Sequence, residues 1–148
     1  MRKIFLIAIL SIALMNCSSD DNGESFIPQN IDFTTTGQGV IIVNLMTIEQ
    51  QNMVITNPTD WNQLLELLSQ DWSFSETDID FNAFQVIVSI DEERGHTGHW
   101  LEVTEIIENE NTITASITTG EHDSGFESIC RPYHIVKILK SDKPVIFE

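Results

Sequence analysis

A chain of 148 residues with 23 acidic and seven basic side chains, net −16, has room for one ordinary domain. It carries no basic surface for a nucleic-acid backbone, so a DNA or RNA partner is excluded. With 41% hydrophobic residues and eight phenylalanines it can bury a core, which separates it from disordered acidic tails.

The first 16 residues read as a signal peptide. Arg2 and Lys3 open it, Ile4 to Leu14 is almost unbroken apolar sequence, and Leu14-Met15-Asn16-Cys17 closes it. The apolar stretch is too short to remain as a spanning helix. Leu14 three residues before Cys17 resembles a bacterial lipobox, with Asn16 where a small Gly or Ala is usual. The resemblance implies that Cys17 is lipidated and becomes the first mature residue, with several acyl chains giving a stable anchor. The mature chain then holds five basic residues against 23 acidic ones, net −18.

Residues 17–30 are expected to be a solvated tether, because Ser18-Ser19-Asp20-Asp21-Asn22-Gly23-Glu24-Ser25 is small, polar and acidic. Such a sequence after a lipidated cysteine resembles the signals that send lipoproteins to the surface. The expected location is the outer membrane of a Gram-negative bacterium, exposed at the cell surface.

The folded domain is expected over 31–148. Thr34 to Gly39 reads as a turn, Val40-Ile41-Ile42-Val43 as a strand and Met53-Val54-Ile55-Thr56 as a second. Trp61, Leu64, Leu65 and Leu68 fall on one helical face, with Asn57 as N-cap, Pro58 at the first position and Asp60 in the first turn.

The period then becomes two. Phe84 to Ile90 reads as a well-buried strand, and His99 to Ile107 as one with Leu101, Val103 and Ile107 inward. Thr112, Thr114, Ser116 and Thr118 alternate with Ile113, Ala115 and Ile117, and Glu108 to Asn111 is a hairpin turn between these two strands. Tyr133 to Leu139 and Val145 to Phe147 complete about seven strands. The fold class is therefore mainly β (α+β): an antiparallel sheet or sandwich with one amphipathic helix.

Gly95-His96-Thr97-Gly98-His99-Trp100, between two strands, resembles the PrcB family, bacterial lipoproteins named for a subunit of a surface protease complex. Thr97-Gly98 keeps the start of a T-G-G-Y-like turn, with His99-Trp100 where Gly and an aromatic are usual. The later strand Pro132 to Ile138, followed by Lys140-Ser141-Asp142, also fits. The resemblance covers about two thirds of the chain. It implies a non-enzymatic accessory or binding module and does not itself identify a partner; with the membrane tether at Cys17, an exported protease complex is the class of protein partner expected.

On that reading Arg94, Thr97, Gly98, His99, Trp100, Arg131, Pro132 and Tyr133 form the candidate recognition loop. Gly98 is there for positive φ or close backbone approach. Thr97 to Trp100, Gly120 to Gly125 and Arg131-Pro132-Tyr133 also resemble, in order, the three loops of chagasin-like protease inhibitors. The alternative function is thus an inhibitor presenting loops 94–100, 120–126 and 131–133.

Other constellations carry less. His96, His99, Cys130 and His134 are zinc-ligand types, but two of them fall on strands and the spacing matches no zinc module, so no metal and no cofactor is expected. Glu121-His122-Asp123-Ser124-Gly125 sets three triad residue types side by side, whereas a triad draws them from separate elements; a polar loop is expected, and no catalytic residue. Asp91-Glu92-Glu93 reads as a solvated strand end. Cys130 has no second mature thiol to pair with once Cys17 is lipidated, and burial is expected.

Overall fold

The computed structural model describes residues 25–43, 48–68, 74–123 and 125–148. The segment read as a leader, Cys17 with its expected lipidation, the start of the expected tether and Ser124 lie outside the described residues. No helix among the described residues is long and apolar enough to cross a membrane.

The domain is mainly β, with two sheets and one helix. The strands are β1 (Gln29–Asn30), β2 (Thr34–Ile42), β3 (Gln51–Ile55), β4 (Phe84–Ile90), β5 (Arg94–His96), β6 (His99–Glu108), β7 (Ile113–Glu121), β8 (Glu127–Leu139) and β9 (Val145–Phe147). The helix α1 (Pro58–Leu67) lies between β3 and β4. One sheet has the order β1-β6-β7-β9 and the other β2-β8-β4-β3, with β5 continuing along β8 beyond the end of β4. All pairs are antiparallel except β7 with β9.

The central five-stranded sheet is apolar on both faces, which gives a three-layer molecule. Val86, Val88, Ile90, Tyr133 and Ile135 face one way and pack on Trp61, Leu64 and Leu68 of the helical segment. Ile87, Val136 and Ile138 face the other way and pack on Val103, Ile106, Ile113 and Ala115 of the second sheet. A strand buried on both sides need not alternate, hence the largely apolar segment from Phe84 to Ile90, in which only Gln85 and Ser89 are polar and both are buried.

The helix forms as its sequence dictates. Asn57 Oδ1 accepts the Asp60 N–H at 3.0 Å, and Pro58 occupies the first turn. Trp61 is buried and its Nε1–H donates to the Thr77 carbonyl at 2.8 Å. Burying Trp61, Leu64 and Leu68 contributes about 2 kcal/mol each, more than the helix could gain from propensity alone.

Three expectations need correction. Thr34 to Gly39 is strand, not turn: it pairs with β8 from Thr34 onward, with a bulge at Thr36. Gly37 is there because the Phe74 ring lies 3.0 Å from where its Cβ would be. In β6, Ile106 rather than Ile107 is buried. A bulge at Thr104 places two residues opposite one and reverses the alternation beyond it. The domain also begins earlier than Ile31, since Gln29 and Asn30 pair with Glu108 and Ile107, and Lys143 Nζ lies 4.6 Å from the Phe26 ring centroid.

Candidate functional site: the corner joining the two sheets

β5 belongs to the central sheet and β6 to the outer one, yet only Thr97 and Gly98 separate them. This turn is therefore a corner where the sheets meet. The β7–β8 connection closes over it. His122 N–H donates to the Gly98 carbonyl at 2.9 Å and Thr97 N–H to the Phe126 carbonyl at 3.0 Å, while Thr97 Oγ1 accepts the Phe126 N–H at 2.9 Å. No glycine among the described residues has positive φ. Close approach is what the corner requires: a Cβ on Gly125 would lie 2.4 Å from Gly98 N and 3.0 Å from His96 Nδ1.

Three side chains converge here. His99 and Glu121 are cross-strand partners, and His96 lies across the turn from His99. Glu121 Oε2 is 3.5 Å from His99 Nε2 and 3.6 Å from His96 Nε2, and the two imidazole centroids are 4.3 Å apart. Beside them, Trp100, His122, Gln38 and Val40 line an open cleft of about 480 Å³. On the same arm Phe126 is 84% exposed and Ile129 47%.

The candidate recognition residues divide. Thr97, His99 and Trp100 stand half-buried at the corner, and Gly98 is buried beneath it. Arg94 is occupied by its own chain: its guanidinium pairs with Asp91 at 2.8 Å and Glu92 at 3.1 Å, and the Asp91 bond holds its pKa above the ordinary value. Of the expected solvated strand end, Glu92 and Glu93 are exposed, whereas Asp91 is buried.

Arg131, Pro132 and Tyr133 are not a loop but the middle of β8, and Tyr133 is fully buried in the core. Pro132 O accepts the Asp91 N–H at 2.9 Å. The reciprocal bond would need a Pro132 N–H, which proline lacks. Arg131 Nη1 donates to the Asp91 carbonyl instead, at 3.3 Å, and Nη2 pairs with Glu93 at 3.0 Å. Of the three inhibitor-like segments, 94–100 and 120–126 therefore meet and 131–133 is withdrawn into a sheet.

The four zinc-type residues do not converge as a set. His134 lies between the sheets, its Nδ1 accepting the Val103 N–H at 2.8 Å and its Nε2 2.9 Å from Thr35 Oγ1. Burial pushes its pKa below the ordinary imidazole value, so the ring is neutral with its proton on Nε2. Cys130 is buried, its thiol donating to the His96 carbonyl at 3.2 Å, and burial raises its pKa.

Glu121 and Phe126 fall within the 120–126 segment of the inhibitor-like reading, but the sequence singles out neither as a ligand or an anchor. Counting back from the Glu108–Ile113 pair without a bulge would set His99 opposite His122; the extra residue at Thr104 sets it opposite Glu121. Comparison with family models, curated proteins and solved structures returns no match to this chain.

Proposed function

We propose that the protein is a lipid-anchored, non-catalytic binding module of the outer-membrane surface that docks an exported protease complex through the corner. The carrying observation is Phe126, an aromatic ring left 84% exposed on backbone fixed by two hydrogen bonds to Thr97. With the backbone already fixed, docking costs little more than the ordering of two side-chain torsions, and a buried aromatic is the kind of anchor that dominates interface energies. Ile129, three residues along the chain, is a second large apolar side chain left partly exposed.

Charge supports a basic partner surface around that anchor. Arg94, Arg131, Lys137 and Lys143 are paired with Asp91, Glu93, Glu76 and Glu108, and Lys140 donates to the Phe81 carbonyl. The acidic excess is left to face solvent and favours rapid encounter with a basic surface. The lipobox-like leader and the PrcB resemblance supply the location and the class of partner. An inhibitor of the chagasin kind would present three loops, and the corner presents two.

Crosslinking of intact cells that carry the epitope-tagged full chain, followed by mass spectrometry, tests this. An exported protease should be recovered with the wild-type chain and lost with Phe126→Ser. Recovery of monomer alone would overturn it. A peptidase assay on the recovered complex separates assistance from inhibition.

A further inference from the structure

We infer that His96, His99 and Glu121 form a binding site for a divalent transition-metal ion of the zinc class. Three observations carry it, and none depends on a protease partner.

First, the carboxylate already stands at a coordinating separation from each imidazole, and the two imidazoles need to close by at most about an ångström. A tetrahedral ion with metal–nitrogen and metal–oxygen bonds of about 2.0–2.2 Å holds its ligand atoms roughly 3.3–3.6 Å apart. Glu121 Oε2 lies 3.5 and 3.6 Å from the two imidazole Nε2 atoms, and all three ligand atoms fall within 4.8 Å of one another. One carboxylate oxygen facing two imidazoles exceeds what a single ion pair needs and matches what a shared cation needs.

Second, each ligand is carried by rigid backbone. His99 and Glu121 are locked by strand register, and His96 by β5 pairing with β8. The His96 ring is backed by Gly125, which has no room for a side chain. Third, the donor set is right for the ion. Two imidazoles and one carboxylate suit zinc, nickel and copper, and three protein ligands leave a position for water or a fourth group.

One interaction competes. The Gly98 bond to Nδ1 places the metal-free ring proton of His96 on Nε2, facing Glu121. When Nε2 takes a metal ion, that proton transfers through solvent to Nδ1 and the Gly98 bond is given up. The cost is the Gly98 hydrogen bond, whose buried N–H is left facing Nδ1–H, set against a new metal–nitrogen bond.

Titration calorimetry of the purified full chain with ZnCl2 tests the site. One ion per chain is expected. His99→Gln and Glu121→Gln should weaken binding at least about tenfold, since even residues that only support a ligand are worth that much. His122→Gln, next to the cluster but outside it, should bind as the wild type does. An isotherm unchanged in His96→Gln and His99→Gln, or no binding by the wild type, would overturn the site. Nitrogen NMR of the wild-type histidine rings needs no variant: zinc should shift Nε2 of His96 and His99 and leave His122 and His134 in place. Shifts at His122 instead would equally overturn it.

Discussion

Trp100 lies across the backbone of Gly120, its antiparallel partner, so closely that a Cβ on Gly120 would sit 2.4 Å from Cζ2 and 2.6 Å from Cε2 of the indole. The missing side chain lets the ring lie down on the sheet, where it walls the cleft at the corner, its centroid 6.3 Å from that of His122. An aromatic covering a bare glycine across two strands is a recurrent means of pinning register.

Gly120→Ala should therefore lift the indole off the sheet rather than deform the strand, because the ring is half-buried and has solvent to move into. The expected loss is about 1–3 kcal/mol, the range for an extra methyl in a packed site. Fluorine NMR of fluorotryptophan-labelled protein should show the Trp100 signal moving while that of buried Trp61 stays. An unmoved Trp100 signal with unchanged stability would remove the packing argument.

His134 ties the sheets together by a side chain on β8 bonded to the backbone of β6, and it must be neutral to accept the Val103 N–H. Its pKa is depressed by burial, with Glu102 acting weakly the other way. Folded chains then resist the proton that unfolded chains accept near pH 6.5. Stability is retained above that value and falls as pH drops toward the depressed folded value, by up to about 1.4 kcal/mol per pH unit for this one group. Urea unfolding at pH 7.5 and 5.5 should show a larger acid loss in the wild type than in His134→Gln, whose amide oxygen can still accept the bond. A proton NMR titration giving His134 an ordinary or raised pKa would contradict this account.

The parts of the fold legible in the sequence are those where one residue pattern answers one environment. Phe84 to Ile90 is largely apolar because both faces are covered, and Asn57-Pro58 marks a helix start by local chemistry alone. Ile113, Ala115 and Ile117 alternate because only one face of β7 is covered. What was not legible depends on distant contacts. The bulge at Thr104 has no sequence mark, yet it decides that Ile106 is buried and that Glu121 faces His99. Gly37 looked like a turn residue and is a seat for Phe74. At the corner Thr97 and His99 were visible as a motif, whereas Phe126 became informative only when its exposure was known.

Arg131 and Pro132 read from sequence as a displayed loop motif, and in the fold they repair each other. In an antiparallel pair a residue's N–H and C=O point to the same neighbour. Pro132 uses its carbonyl toward Asp91 but has no N–H to return, and the Arg131 guanidinium, 14% exposed, donates to the Asp91 carbonyl in its place. Arg131→Met should leave that carbonyl without a donor and cost about 1–3 kcal/mol. Pro132→Ala alone restores a backbone N–H where Arg131 already serves, and should change stability by less than about 1 kcal/mol. In the double variant the alanine N–H can take over the Asp91 carbonyl. It should therefore recover about 1 kcal/mol of the Arg131→Met loss, a coupling that urea unfolding of the four chains measures directly. Strict additivity would mean that the guanidinium acts only through its ion pair with Glu93.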